Sequence, residues 1–155
     1  MSAWIFRVIV SEKEKYYYEL DRALEEIPNR TIYQYQGRIK SIDVGDIVYF
    51  YECDPISAIC WKCKVLAVNV PYEKTYDIDD SEFEHGETER EGYYIKVVAL
   101  AKYEEGKDRQ KLSIDKLREN GLTQERSSFS LNSPRVNPQL LKYISSIKPS
   151  VEYND

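Results

Sequence analysis

The chain has 155 residues and 18.3 kDa, a length that predicts one domain with its own core and no need of a disulfide or metal staple. Hydrophobic residues make up 42% and charged residues 32%, and no apolar run approaches the roughly 20 residues of a membrane span. Met1-Ser2-Ala3-Trp4 lacks the charged and apolar regions of a signal peptide, so the chain reads as cytoplasmic with no membrane partner.

Residues 4–10 alternate as a strand, with Trp4, Phe6, Val8 and Val10 on one face and Ile5, Arg7 and Ile9 on the other. A helix is predicted next. Ser11 is its N-cap, Glu14 completes a capping box, and Tyr17, Leu20, Leu24 and Ile27 form one stripe before Pro28-Asn29. Residues 31–35 are a short aromatic segment, and Gly45-Asp46 signals a turn. Ile47-Val48-Tyr49-Phe50-Tyr51 is the clearest strand in the chain. Residues 56–70 form a second long strand and 93–102 a third. Ser113 caps a short helix stopped at Asn120-Gly121. Asn137 caps a last helix with Pro138 in its first turn and Leu140, Leu141 and Ile144 on its apolar face. The whole reads as α+β, a curved sheet or small barrel with helices at its flanks. One domain is expected over residues 1–148, with a loose tail over 149–155.

The net charge is −5, which at first argues against a nucleic-acid partner. Residues 71–92, however, hold nine acids against Lys74 and Arg90 and carry −7, leaving +2 on the rest. This segment reads as a long solvated or partly disordered loop. A docking surface for a basic protein partner is the alternative. Ca²⁺ is a further use of such acids, but the spacing is not that of an EF-hand loop.

Cys60-Trp61-Lys62-Cys63, with Cys53 and His85, is a formal zinc set, and the C-x-x-C is a formal redox pair. In a regular strand residues i and i+3 face opposite sides, which favours structural thiols. No cofactor is expected and no Gly-rich phosphate loop is present. Asp43, Asp46, Glu52 and Asp54 fit turn chemistry better than acid–base work, and His85 has no nucleophile beside it in sequence.

Of 20 aromatic residues, 14 are tyrosines. Tyr49 and Tyr51 share a strand face, Val48 and Phe50 the other. Trp61 is expected beside Ile59 and Cys63, and Tyr33, Tyr35 and Trp4 can converge from other segments. Such rings either line a small core or stack on bases. Residues 125–135 are polar and carry two arginines, which suits either a surface connector or contacts to phosphate and base edges.

The order of these parts resembles an EVE-type domain of the PUA-like superfamily, in the variant found beside restriction-type nucleases. The matching pieces are Ala3-Trp4-Ile5-Phe6, the Gly45-Asp46 turn with its aromatic strand, the following strand over 59–70, the helix over 112–120, and Asn132-Ser133-Pro134-Arg135-Val136 before the last helix. Where the commoner family pattern has a Trp ahead of the Gly-Asp turn, this chain has Tyr33, Tyr35 and Arg38. The resemblance implies a PUA-like pseudo-barrel of five or six strands flanked by short helices. It also implies a non-catalytic module that reads a modified base, such as a methylated one, in DNA or RNA. Its pocket would use Trp4, Tyr49 and Tyr51, with Ser127, Ser128, Asn132 and Arg135 from the polar loop. Tyr33, Tyr35 and Trp61 would add rings, while Arg7, Arg38, Lys62, Lys64 and Arg126 would hold phosphates. The rival readings are a small hydrolase on a PUA-like fold and an adaptor working through the acidic segment.

Overall fold

The computed structural model describes residues 1–86, 92–123, 125, 128–133 and 138–153. Its main sheet is seven-stranded and mixed. The strands are β1 (Ala3–Val8), β3 (Thr31–Gly37), β4 (Ile47–Glu52), β5 (Ala58–Pro71), β7 (Tyr93–Lys102), β8 (Ser128–Ser130) and β9 (Val151–Glu152). Their order is β3-β7-β5-β4-β1-β8, with β9 on β7. Only the β1–β4 pair is parallel; the other pairs are antiparallel. Arg7, Val8 and Ile9 nevertheless face one cavity with Tyr33, Gln34 and Tyr35. Three strands separate β1 from β3 in the order, so the sheet curls into a half-barrel.

Alternation along each strand divides the core between the two faces of the sheet. Trp4, Phe6, Val48, Phe50, Trp61, Ile95 and Val97 pack on one face with Leu20 and Leu24 of α1 (Leu20–Glu26). Ile5, Tyr49, Tyr51 and Ile59 pack on the other. There they meet residues of α3 (Ile114–Glu119) and α4 (Pro138–Ser146), beside α2 (Asp108–Lys111). Ser113 caps α3 by accepting from the Lys116 amide. Among the described residues, no helix is long and apolar enough to cross a membrane.

Four expectations need correction. The helix begins at Leu20, not after Ser11. Ser11 closes only a local turn, and the chain then forms β2 (Tyr17–Tyr18). β2 pairs with β6 (Glu84–His85), placing Tyr17 opposite His85 and Tyr18 opposite Glu84. The acidic segment is therefore built into the fold as far as residue 86. Phe83 is buried and Tyr72–Lys74 form a 3-10 turn. Residues 87–91 lie outside the described residues. The tail is pinned as well: β9 pairs with β7, Tyr153 stacks on Trp61, and Ser150 binds the Asp108 carboxylate through its amide and hydroxyl.

The fourth correction is a register shift. Phe50 pairs with Trp61 and Tyr51 with Ile59, so Cys60 is an extra, bulged residue. Trp61 consequently lies on the face opposite Ile59. The bulge also puts Cys60 and Cys63 on one face, which regular alternation forbids. Burial pushes both thiols up, so they stay protonated.

Gly86 closes the β2–β6 ribbon. Its φ is +88°, and a Cβ there would lie 2.0 Å from the Lys15 carbonyl oxygen. Gly45 has a similar φ of +91° but open space around it. Gly86→Ala is expected to cost about 2–3 kcal/mol and Gly45→Ala about 1 kcal/mol in urea unfolding. Equal losses would show that the ribbon contact is not tight.

Candidate functional site

The open side of the half-barrel forms a cleft of about 770 Å³, within the usual range of small-ligand sites. Its walls come from the ends of β1 and β3, from residues around β2, and from the acidic segment. Seven tyrosines line it: Tyr16, Tyr18, Tyr33, Tyr35, Tyr72, Tyr76 and Tyr94. Strand register explains one wall. Tyr35 lies opposite Tyr94 on the neighbouring strand, and their rings meet edge to face at 5.5 Å. The 3-10 turn after β5 then carries Tyr72 to 5.6 Å from Tyr94 and 5.5 Å from Tyr76. The result is a continuous row of rings. Tyr35, Tyr72 and Tyr76 are 43%, 43% and 68% exposed.

The opposite wall carries Asp79 and Asp80. Tyr18 is buried and its hydroxyl donates to Asp80 Oδ2 at 2.9 Å. Burial and the Asp80 charge push that phenol up, so it remains a donor. Asp79 accepts from the Ser81 amide and hydroxyl. Tyr33 lies under the Lys96 ammonium, 5.6 Å from its ring centre, and Lys96 pairs with Asp77 at 3.3 Å. Burial, reinforced by a hydrogen bond to Asp77, pushes the Tyr33 phenol up.

Of the residues singled out from sequence, Tyr33, Tyr35 and Arg7 reach this cleft. Arg7 also lies 4.7 Å above the Tyr51 ring. Arg38, just beyond β3, is exposed. The tryptophans do not join them. Trp4 is buried and donates its indole N–H to Asp46 at 3.0 Å; Trp61 is fully buried and donates to Asp21 at 2.7 Å. Both indoles are committed to holding the core. Tyr49 and Tyr51 are also buried, on the helix-covered face. Tyr49 borders a separate cavity of about 320 Å³ with Lys62, Tyr103 and Ser145. Lys64 is exposed on β5. Ser128 pairs with Phe6 in β8, and Asn132 Oδ1 accepts the Ala3 amide at 2.7 Å. Both therefore fasten the β1 edge. Ser127, Arg126, Arg135 and the expected cap Asn137 lie outside the described residues.

Sequence reasoning missed Tyr16, Tyr18, Tyr72, Tyr76 and Tyr94 as cleft residues. One signal was available: Tyr72 and Tyr76 stand inside the acidic segment, where a purely solvated loop has no use for large rings.

A second cluster holds buried charge. Asp46 does act as a turn residue, accepting from the Ser2 and Asp43 amides as well as from Trp4. Glu52 does not. It is 3% exposed beside Asp21, and its Oε2 has no hydrogen-bond donor. Burial, then hydrogen bonding to the Asp21 carboxylate, pushes Glu52 up to about 8. Burial also pushes Asp21 up, but Glu52, Arg109 and Trp61 outweigh it and hold that carboxyl below the ordinary range. Asp21 and Glu52 thus share one proton, with Glu52 its main holder near neutral pH. Both line a third cavity of about 460 Å³. His85 belongs to neither group: its Nε2 lies 2.8 Å from Glu19, and its ring stacks on Tyr17 at 4.4 Å. Among the described residues, no group of three or more His, Cys, Asp or Glu side chains is placed to hold a metal ion.

No family model matches the chain, and no curated protein matches it. Solved structures do. A point mutant of the ASCH protein from Zymomonas mobilis superposes with a TM-score of 0.53 at 8% identity, over 96% of this chain and 100% of that one. A second structure of the Zymomonas mobilis ASCH protein gives 0.50 at 9% identity, over 96% and 97%. The chain therefore shares the fold of these ASCH structures, a half-barrel of mixed sheet with a few short helices.

Proposed function

We propose that this chain is a non-catalytic nucleic-acid-binding module of EVE type, which takes one modified base of DNA or RNA into the tyrosine-lined cleft. The observation that carries this reading is the row formed by Tyr35, Tyr94, Tyr72 and Tyr76 along an open cavity. A base that has left its stack regains it between such rings, at about 1–3 kcal/mol per ring lost on alanine substitution. Tyr33, Tyr35 and Arg7 are the residues of the sequence-level site that serve here. A methyl group adds about 0.8 kcal/mol when it fills an apolar corner, so discrimination also needs hydrogen bonds to the base edge. The Tyr33 hydroxyl and the Gln34 side chain are the groups proposed for that task. Phosphates stay outside, where Arg38 is exposed, and few phosphate contacts imply a shallow salt dependence.

The test is titration of single-stranded oligonucleotides carrying one modified base, against the parent and the Tyr35→Ala/Tyr72→Ala double variant. The double variant is expected to bind about 30-fold or more weakly with unchanged thermal stability. Equal binding by the two proteins would overturn the assignment of the cleft.

A further inference from the structure

We infer that the strand flanking the base in the cleft runs out across β7 and β5, over an open strip of the sheet where Lys64 and Lys62 hold its phosphates; this rests on the base-reading function proposed above. Strand register carries the argument, because residues opposite one another in a pair lie on one side of the sheet. Tyr35 is opposite Tyr94, Tyr33 opposite Lys96, and Thr31 opposite Val98. Val98 is in turn opposite Lys64, and Lys64 opposite Ile47. The cleft residues Tyr33, Tyr35 and Tyr94 therefore share a face with Lys64, and alternation along β5 adds Lys62. The other face of these strands carries Ile32, Val65, Ile95 and Val97 of the core. Helix α4 packs farther along the shared face, beside Tyr49 and Tyr103. The strip between is open. Lys64 and Leu66 are exposed there, and so is Val44 in the adjoining turn, which the Gly45 amide ties to the Val65 carbonyl at 2.9 Å.

The chemistry of the strip suits a sugar–phosphate chain. Among the described residues neither Lys62 nor Lys64 forms an ion pair, whereas Lys96 on the same face is paired with Asp77. The nearest other acid, Glu152, borders the cavity beside Lys62 without pairing to it. Two ammonium groups are therefore available for phosphate oxygens, and Leu66 and Val98 give apolar contact between them and the cleft. The distances agree. Val98 lies four residues from Tyr94, about 13 Å along the strand, and Lys64 is one strand over, about 5 Å away. That span of about 14 Å covers about four stacked nucleotides, or fewer extended ones. An exposed apolar strip flanked by lysines and continuous with the cleft thus has a use that a solvated sheet face lacks.

Comparing a nucleoside with a strand separates the strip from the cleft. The probes are N6-methyladenosine and 5-methylcytidine, each free and at the centre of a single strand of about nine nucleotides. The proteins are the parent and the Lys62→Gln/Lys64→Gln double variant, whose folding is checked by thermal unfolding. The nucleosides are expected to bind the two proteins equally. The strands are expected to bind the variant about tenfold more weakly at low salt, with the slope of log affinity against log salt reduced by about 1.4. Equal strand affinity and equal slope would overturn the path and leave a base reader intact. Weaker nucleoside binding by a normally folded variant would also overturn it, by assigning the lysines to the cleft. An unmodified strand bound as tightly as the modified ones, with the same lysine dependence, would support the path and overturn the selection of a modified base. Polyglutamate bound through these lysines where no strand binds would overturn the path in favour of an acidic protein partner. Absence of binding by every nucleoside and strand would overturn both the path and the base reader.

Discussion

Replacing Arg109 by alanine is expected to destabilise the protein by about 3–5 kcal/mol. The guanidinium is 6% exposed and lies 3.2 Å from the Asp21 carboxylate and 4.0 Å from Glu52 Oε2. Its Nε donates to the Tyr103 carbonyl at 2.7 Å, which ties α2 to the end of β7. Asp21 is held on its other side by the Trp61 indole. Without Arg109, two close carboxyl groups lose the guanidinium that pairs with them, and the Tyr103 carbonyl loses its donor. Arg109→Met keeps most of the side chain's packing, so most of its loss is electrostatic. Urea unfolding of both variants at pH 7 measures this. A loss under about 1 kcal/mol for both would mean that the cluster is solvated rather than buried.

The second large effect is a pH dependence located at Glu52. Its carboxyl is raised from the ordinary 4.5 to about 8 in the folded chain. Between those values the folded state holds a proton that the unfolded chain has released, so stability falls as pH rises. The contribution is fully present below about 4.5, is lost through about 8, and is flat above that. Asp21 is shifted the other way, so its contribution changes only in acid, below this window. Going from pH 5 to pH 8.5, the parent is expected to lose about 2–4 kcal/mol relative to Glu52→Gln, whose amide does not titrate. The variant should match the parent near pH 5 and exceed it at pH 8.5. Parallel curves of stability against pH would contradict a shared proton at this site.

Much of the sheet was legible from local pattern. The strand over 93–102 has the limits expected of it, and the strands around Ile47 and Trp61 differ only at their ends. These segments are rich in β-branched and aromatic residues, so their local preference agrees with the fold. The errors come from partners far away in sequence. Tyr17 and Tyr18 fit a helical stripe locally, but Glu84 and His85 claim them as a strand. Tyr153 looks like tail until Trp61 and Arg30 are beside it.

The site was harder to read for the same reason. Tyr33 and Tyr35 stand out in sequence as members of an aromatic strand, but Tyr94, which meets Tyr35, and Tyr72, which meets Tyr94, are supplied by pairing and by a turn after β5. Trp4 and Trp61 carry no mark in sequence of their buried carboxylate partners, Asp46 and Asp21. The single extra residue at Cys60 reverses the faces of everything before it, which alternation alone never signals. Charge was the more informative clue. Setting residues 71–92 apart leaves a body compatible with nucleic acid, and three of the segment's acids, Asp79, Asp80 and Glu84, line the cleft.

Two-dimensional amide NMR of the full chain, titrated with an oligonucleotide carrying a single modified base, tests the central claim most directly. Shifts concentrated at Tyr33, Gln34, Tyr35, Tyr76 and Tyr94, with Tyr49, Tyr51 and Tyr103 unmoved, are the expected result. Shifts confined to the helix-covered face around Tyr49 and Tyr103 would contradict the account and return the site to the aromatic strand singled out from sequence.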